Sequence, residues 1–156
     1  MSKKKPKQSS STIGRNKKVR HDFQLDDRFE AGIALEGWEV KSLREGRLQL
    51  QDSHVIIQNG EAFLLNALIT PLPTASTHIH PTPSRARKLL LHRRELDKLI
   101  GAVERKGMTI VALAMYWSKG RAKIEIAIAK GKREFDKRAD EKDRDWKRQK
   151  ERLMRH

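Results

Sequence analysis

Twelve lysines and arginines fall between residues 129 and 156, at positions 130, 132, 133, 137, 138, 142, 144, 147, 148, 150, 152 and 155, against seven acids. On a helix they surround the axis rather than line one stripe. Such a rod suits a channel walled by phosphates on more than one side. Each phosphate neutralised releases condensed counterions, so binding of this kind falls steeply with salt. The competing reading is a solvated helix laced by opposite charges, such as Asp143 with Lys147 at i, i+4. The whole chain carries a net charge of +15, more than solubility requires, which favours RNA contact. Phe135 and Trp146 lie inside this charge; either ring stacks on a base or docks on the body of the protein.

The histidines offer less. His78 and His80, two apart in a proline-rich stretch, lack a third ligand at suitable spacing, so no zinc site is expected. His21 beside Asp22 has the form of a base and its orienter. No nucleophile or oxyanion motif accompanies the pair, and no Walker loop, GxSxG or HExxH occurs. The sequence therefore predicts a binding protein without cofactor, metal or catalytic centre. The alternative, an RNA hydrolase built on His21, would need cleavage that is lost on His21→Ala. A third option is a structural ribosomal protein with a barrel body and basic extensions.

A pI of about 10.4 calls for a polyanionic partner: RNA, DNA or an anionic membrane. The charge sits at the ends, since residues 1–20 hold eight Lys or Arg and no acid. Residues 1–18 have almost no apolar content and are predicted to form a disordered basic arm. The absence of cysteine excludes disulfides and thiolate metal sites and is compatible with a reducing cytoplasm. No apolar run approaches the roughly 20 residues that span a bilayer, and no signal peptide is expected.

Between the ends lies the element pattern that must position any site. Phe29, Ala31, Ile33 and Leu35 alternate with Glu30, Gly32, Ala34 and Glu36, which predicts a half-buried strand ended by Gly37. Residues 38–45 read as a short helix. Asn59-Gly60 between Val55-Ile56-Ile57 and Phe63-Leu64-Leu65 predicts a hairpin with a type I′ turn. Residues 70–83 hold four prolines and read as a loop, and Leu89–Leu91 are ambiguous. Leu96, Leu99, Ile100 and Val103 form one helical stripe, with Gly107 at the C-cap. Residues 108–117 and 122–129 are two further strands, with Lys123 and Glu125 opposite Ile124, Ile126 and Ile128. Many short antiparallel strands favour a small barrel or sandwich. Glu30 and Lys123 point outward, where a lone polar side chain is most often solvent decoration. Residues 132–156 favour helix, but Ala139, Trp146 and Leu153 give only a thin seam. The tail is therefore predicted to be largely unfolded alone and helical on a partner.

Five stretches resemble the SsrA-binding protein family: RHDF (20–23), FEAGIALEGWEVKSLREGR (29–47), QDSHVIIQNGEAFLLNALITP (51–71), RKLLLHRREL (87–96) and IAIAKGKREFDKR (126–138). They run nearly end to end, in order and register. The resemblance implies a mainly β fold: an OB-fold-like antiparallel barrel over 19–131 with about three helices. It implies binding to the tRNA-like domain of tmRNA and delivery of alanyl-tmRNA, with elongation factor Tu, to stalled ribosomes. It also implies that the tail, disordered when free, becomes helical in the empty mRNA channel.

By the same resemblance, Glu30, Leu90 and Lys123 occupy positions tied to tmRNA binding. His21 matches a position close to the decoding site. Asp136, Lys137 and Arg138 match a segment needed for tagging after tmRNA binding. Trp146 matches an aromatic position of the tail helix, and Leu153 and Met154 an apolar pair near its end. The N-terminal arm departs most from the family pattern, so no role is carried over there. A cytoplasmic monomer is expected.

Overall fold

Period-two alternation builds most of this protein. The computed structural model describes residues 11–73, 81–132, 144–150 and 152. In chain order the elements are β1 (Thr12–Arg15), α1 (Val19–Asp22), β2 (Phe23–Ile33), α2 (Gly37–Arg44), β3 (Leu48–Gln49), β4 (His54–Gln58), β5 (Glu61–Leu65), β6 (Leu68–Ile69), β7 (Arg87–Leu90), α3 (Arg93–Lys106), β8 (Thr109–Ser118) and β9 (Arg121–Gly131). No described helix is long and apolar enough to cross a membrane.

The pairings close a ring. β8 pairs with β4, β4 with β5, β5 with β7, β7 with β2, β2 with β9, and β9 returns to β8, all antiparallel. Closure removes the exposed sheet edges that would otherwise template aggregation. The fold is thus the expected antiparallel β-barrel with three helices in the body. Ala31, Leu64, Ile69, Ile110, Met115, Ile124 and Ile126 fill its interior. Trp38 and Leu43 of α2 and Leu96, Leu99 and Ala102 of α3 join the same cluster.

Each local prediction has a visible cause. Asn59 and Gly60 have φ of 53° and 74°, the left-handed pair that a type I′ hairpin needs. Gly107, at φ 61°, ends α3, and the Met108 N–H donates to the Ala102 carbonyl at 3.1 Å. The strand expected from Phe29 to Leu35 instead starts at Phe23 and stops at Ile33.

The disordered arm over 1–18 is corrected for residues 12–18. Thr12–Arg15 pairs with the half of β8 beyond the short β4 contact, through Thr12↔Tyr116, Gly14↔Met115 and Arg15↔Ala114. Ile13 packs on the core. The Asn16 N–H donates to Leu113 O at 2.8 Å, and its side-chain amide donates to Ala112 O and Leu50 O at 3.1 and 3.3 Å. Composition failed here because a strand is stabilised by hydrogen bonds to a partner about a hundred residues away.

A buried ion pair fastens α2 to β7. Glu39 and Arg87 are both fully buried. Arg87 Nε donates to Glu39 Oε2 at 2.5 Å, and its remaining donors reach Ala67 O and Pro83 O at 2.8 and 3.0 Å. Arg85 Nη2 donates to Glu39 Oε1 at 2.5 Å. Burial alone would raise the Glu39 carboxyl, but both guanidinium groups and the Glu36 N–H outweigh it and hold the pKa below the ordinary value. Burial pulls the Arg87 guanidinium down, yet arginine starts so high that it stays charged.

Candidate nucleic-acid interface

The outer face of β7, β2, β9 and β8 is a row of side chains set by register. Gly32 pairs with Leu90 on one side and Lys123 on the other, and Lys123 pairs with Tyr116. One step along, Glu30 faces Glu125. Glu30, Leu90 and Lys123, remote in sequence, thus line one open groove of about 580 Å³ together with Lys88, Arg93 and Arg121.

Gly32 is the floor of this groove. A Cβ built there would lie 3.2 Å from Leu90 Cβ, so any side chain would push Leu90 aside. Leu90 is 54% exposed, one of three exposed large apolar side chains among the described residues, and forms an apolar wall. Lys88 is paired with Glu61 at 3.1 Å. Among the described residues, Lys123 and Arg121 have no ion-pair partner and remain available to phosphate.

Sequence alone does not single out Tyr116, which lies in the strand read over residues 108–117. Strict alternation would put it on the same face as Ile110 and Ala112. A bulge between Ala112 and Ala114 shifts the register, so that Ala112 opposes the interior Ile126 but Ala114 opposes the exterior Glu125. Met115 then turns inward and Tyr116 outward, where its hydroxyl donates to Glu30 Oε2. Burial first, and Glu30 second, push the Tyr116 pKa up, so the phenol is a proton donor at any physiological pH.

His21 does not join this groove. It lies in α1, its Nδ1 3.2 Å from Asp22 Oδ1. The Lys132 N–H donates to the Asp22 carbonyl at 2.9 Å, which puts His21 at the root of the C-terminal tail. Lys123 lies eight residues before Gly131 along β9, roughly 26 Å at a rise of about 3.3 Å per residue. Two sites at opposite ends of one strand therefore emerge, one groove and one tail root.

Of the tail, residues 144–150 are helical with every side chain exposed, and Trp146 is 63% exposed. Asp136, Lys137, Arg138, Leu153 and Met154 lie outside the described residues, as do Phe135, His78 and His80.

A family model described as "SmpB protein" matches residues 13–156. The chain belongs to the SmpB family. Among family relatives, an SsrA-binding protein of Alcanivorax borkumensis is 57% identical over 97% of this chain and 96% of its own length. One from Alkalilimnicola ehrlichii is 55% identical over 98% and 96%. One from Thiobacillus denitrificans is 58% identical over 92% and 97%. A solved chain from the structure "tmRNA-SmpB: a journey to the center of the bacterial ribosome" superposes with a TM-score of 0.64 at 43% identity, covering 78% of this chain and 85% of that one.

Proposed function

We propose that this chain binds the tRNA-like domain of tmRNA across the groove of Glu30, Leu90 and Lys123, and brings it to stalled ribosomes for trans-translation. The observation that carries the reading is the convergence of these three residues from β2, β7 and β9 on one open groove with free cations, in a chain of the SmpB family. Lys123 and Arg121 serve phosphates, Leu90 packs on a ribose or base, and Glu30 accepts from an RNA donor. The tail, rooted beside His21, enters the vacant mRNA channel as a cationic helix. Asp136, Lys137 and Arg138 act there after tmRNA is bound, while Trp146, Leu153 and Met154 seat the helix. A channel already filled by mRNA excludes the rod, so occupancy is tested without reading bases. The chain acts in the cytoplasm as a monomeric, non-catalytic factor and meets elongation factor Tu through alanyl-tmRNA.

The test pairs two variants. Lys123→Ala weakens tmRNA binding in a filter assay and reduces the salt slope by about 1. Replacing Asp136, Lys137 and Arg138 together by alanine leaves that binding intact and abolishes peptide tagging in a stalled translation reaction. A tail variant that loses RNA affinity as fully as Lys123→Ala overturns the division of labour. A parent protein with no preference for tmRNA over competitor RNA overturns the function.

A further inference from the structure

A carboxylate on a surface that holds a polyanion poses a problem. Glu30 repels phosphate, and it stands directly opposite Glu125, a like-charged arrangement that disfavours the strand pair. Left alone, its side chain would swing toward solvent. Instead the hydroxyl of Tyr116 reaches across β9 and donates to Oε2. Tyr116 is the only tyrosine of the chain, and the β8 bulge alone turns it to this face. An ionised carboxylate has about four lone-pair sites. The phenol uses one, which leaves Oε1 and the rest of Oε2 as acceptors of known direction.

Resting on the proposed RNA-binding role of this face, we propose that Tyr116 is a positioning residue that locks Glu30 as an acceptor for a non-phosphate donor of the RNA, a nucleobase amino group or a ribose 2′-hydroxyl. The physical gain is preorganisation. Glutamate is among the side chains with most rotamer freedom to lose, and that loss ordinarily subtracts from binding. Here the hydrogen bond to Tyr116 has ordered it before RNA arrives. Phosphate is excluded from the same spot by charge, so the carboxylate also fixes the register of the backbone, which must seat its phosphates on Lys123 and Arg121.

The experiment is a double-mutant cycle on tRNA-like-domain RNA, read by fluorescence anisotropy across a salt series, with thermal unfolding of each protein alongside. Tyr116→Phe loses about three- to tenfold in affinity, the cost of ordering one rotamer-rich side chain at the moment of binding. Its salt slope matches the parent's, because no phosphate contact is removed. Glu30→Ala loses at least as much, and the double variant binds no more weakly than Glu30→Ala. RNAs carrying inosine for guanosine, purine riboside for adenosine, 2-pyrimidinone riboside for cytidine, or 2′-deoxy sugars, one nucleotide at a time, then separate the donors. One substitution weakens the parent and costs Glu30→Ala nothing further. A base without its amino group identifies a base amine, and the deoxy sugar identifies a 2′-hydroxyl.

The proposal is overturned if Tyr116→Phe binds as tightly as the parent, if the two losses multiply, or if the salt slope falls. It is also overturned if no RNA substitution distinguishes the parent from Glu30→Ala. Should Tyr116→Phe unfold at lower temperature, it is assayed where it is fully folded, and the same RNA substitution then costs it less affinity than it costs the parent. The parent's preference for tmRNA is measured first. Its absence sinks the function itself, whereas its presence with an indifferent Tyr116→Phe sinks only this inference.

Discussion

Replacing Glu39 by alanine removes the carboxylate that is ion-paired with the fully buried Arg87. The guanidinium keeps its bonds to Ala67 O and Pro83 O but loses its counter-charge in a site without water access. Breaking a buried pair in this way costs about 3–5 kcal/mol, because the remaining ion is left uncompensated. Arg85 adds less than about 1 kcal/mol, since it is partly exposed and screened by solvent. Against a typical stability of about 5–15 kcal/mol, the loss is about a fifth of the total or more. At about 2–4 °C per kcal/mol for a chain of this size, Tm falls by roughly 6–20 °C. Urea unfolding followed by circular dichroism measures it, with the midpoint shifting and the m-value unchanged. The double replacement Glu39→Met with Arg87→Met removes both charges and is less destabilised than the two single changes summed. A Glu39→Ala loss below about 1 kcal/mol would refute the claim that this pair carries the junction of α2 and β7.

The Glu39 pKa is lowered in the folded state, so its contribution is fully present above the unfolded value of 4.5 and is lost as pH falls through the lower folded value. Acid titration of stability is therefore shallower in Glu39→Gln than in the parent below that pH, and parallel to it at neutral pH. A chain beginning at residue 19 lacks β1 and the two Asn16 side-chain bonds, and unfolds at lower urea than one beginning at Ser11; Asn16→Ala alone costs about 1–3 kcal/mol. Lys119 holds φ 51° in the β8–β9 turn, so Lys119→Asn, which tolerates that region better, raises Tm slightly without altering RNA binding.

Elements whose signal is local were legible in the sequence. The 59–60 turn, the stripe of α3 and the alternation of β9 each depend on residues within a few positions of one another. The same period put Glu30 and Lys123 outside the barrel before any partner strand was known. Glu39 was not legible: in the short helix read over residues 38–45 it is a carboxylate that is fully buried, because an arginine 48 residues on supplies its counter-charge.

The amino-acid sequence by itself determined the 55–65 hairpin, the paired strands after residue 108, the cationic ends and the family pattern, since these follow from residue type and short-range spacing. Tertiary structure decided which face Tyr116 takes, that residues 12–18 belong to the body, and that residues 30, 90 and 123 share a groove while His21 stands apart at the tail root. Each of these turns on register against a distant strand, and a one-residue bulge reverses every side chain beyond it. No window along the chain contains that information, because the hydrogen bonds that fix it are made with partners up to about a hundred residues away.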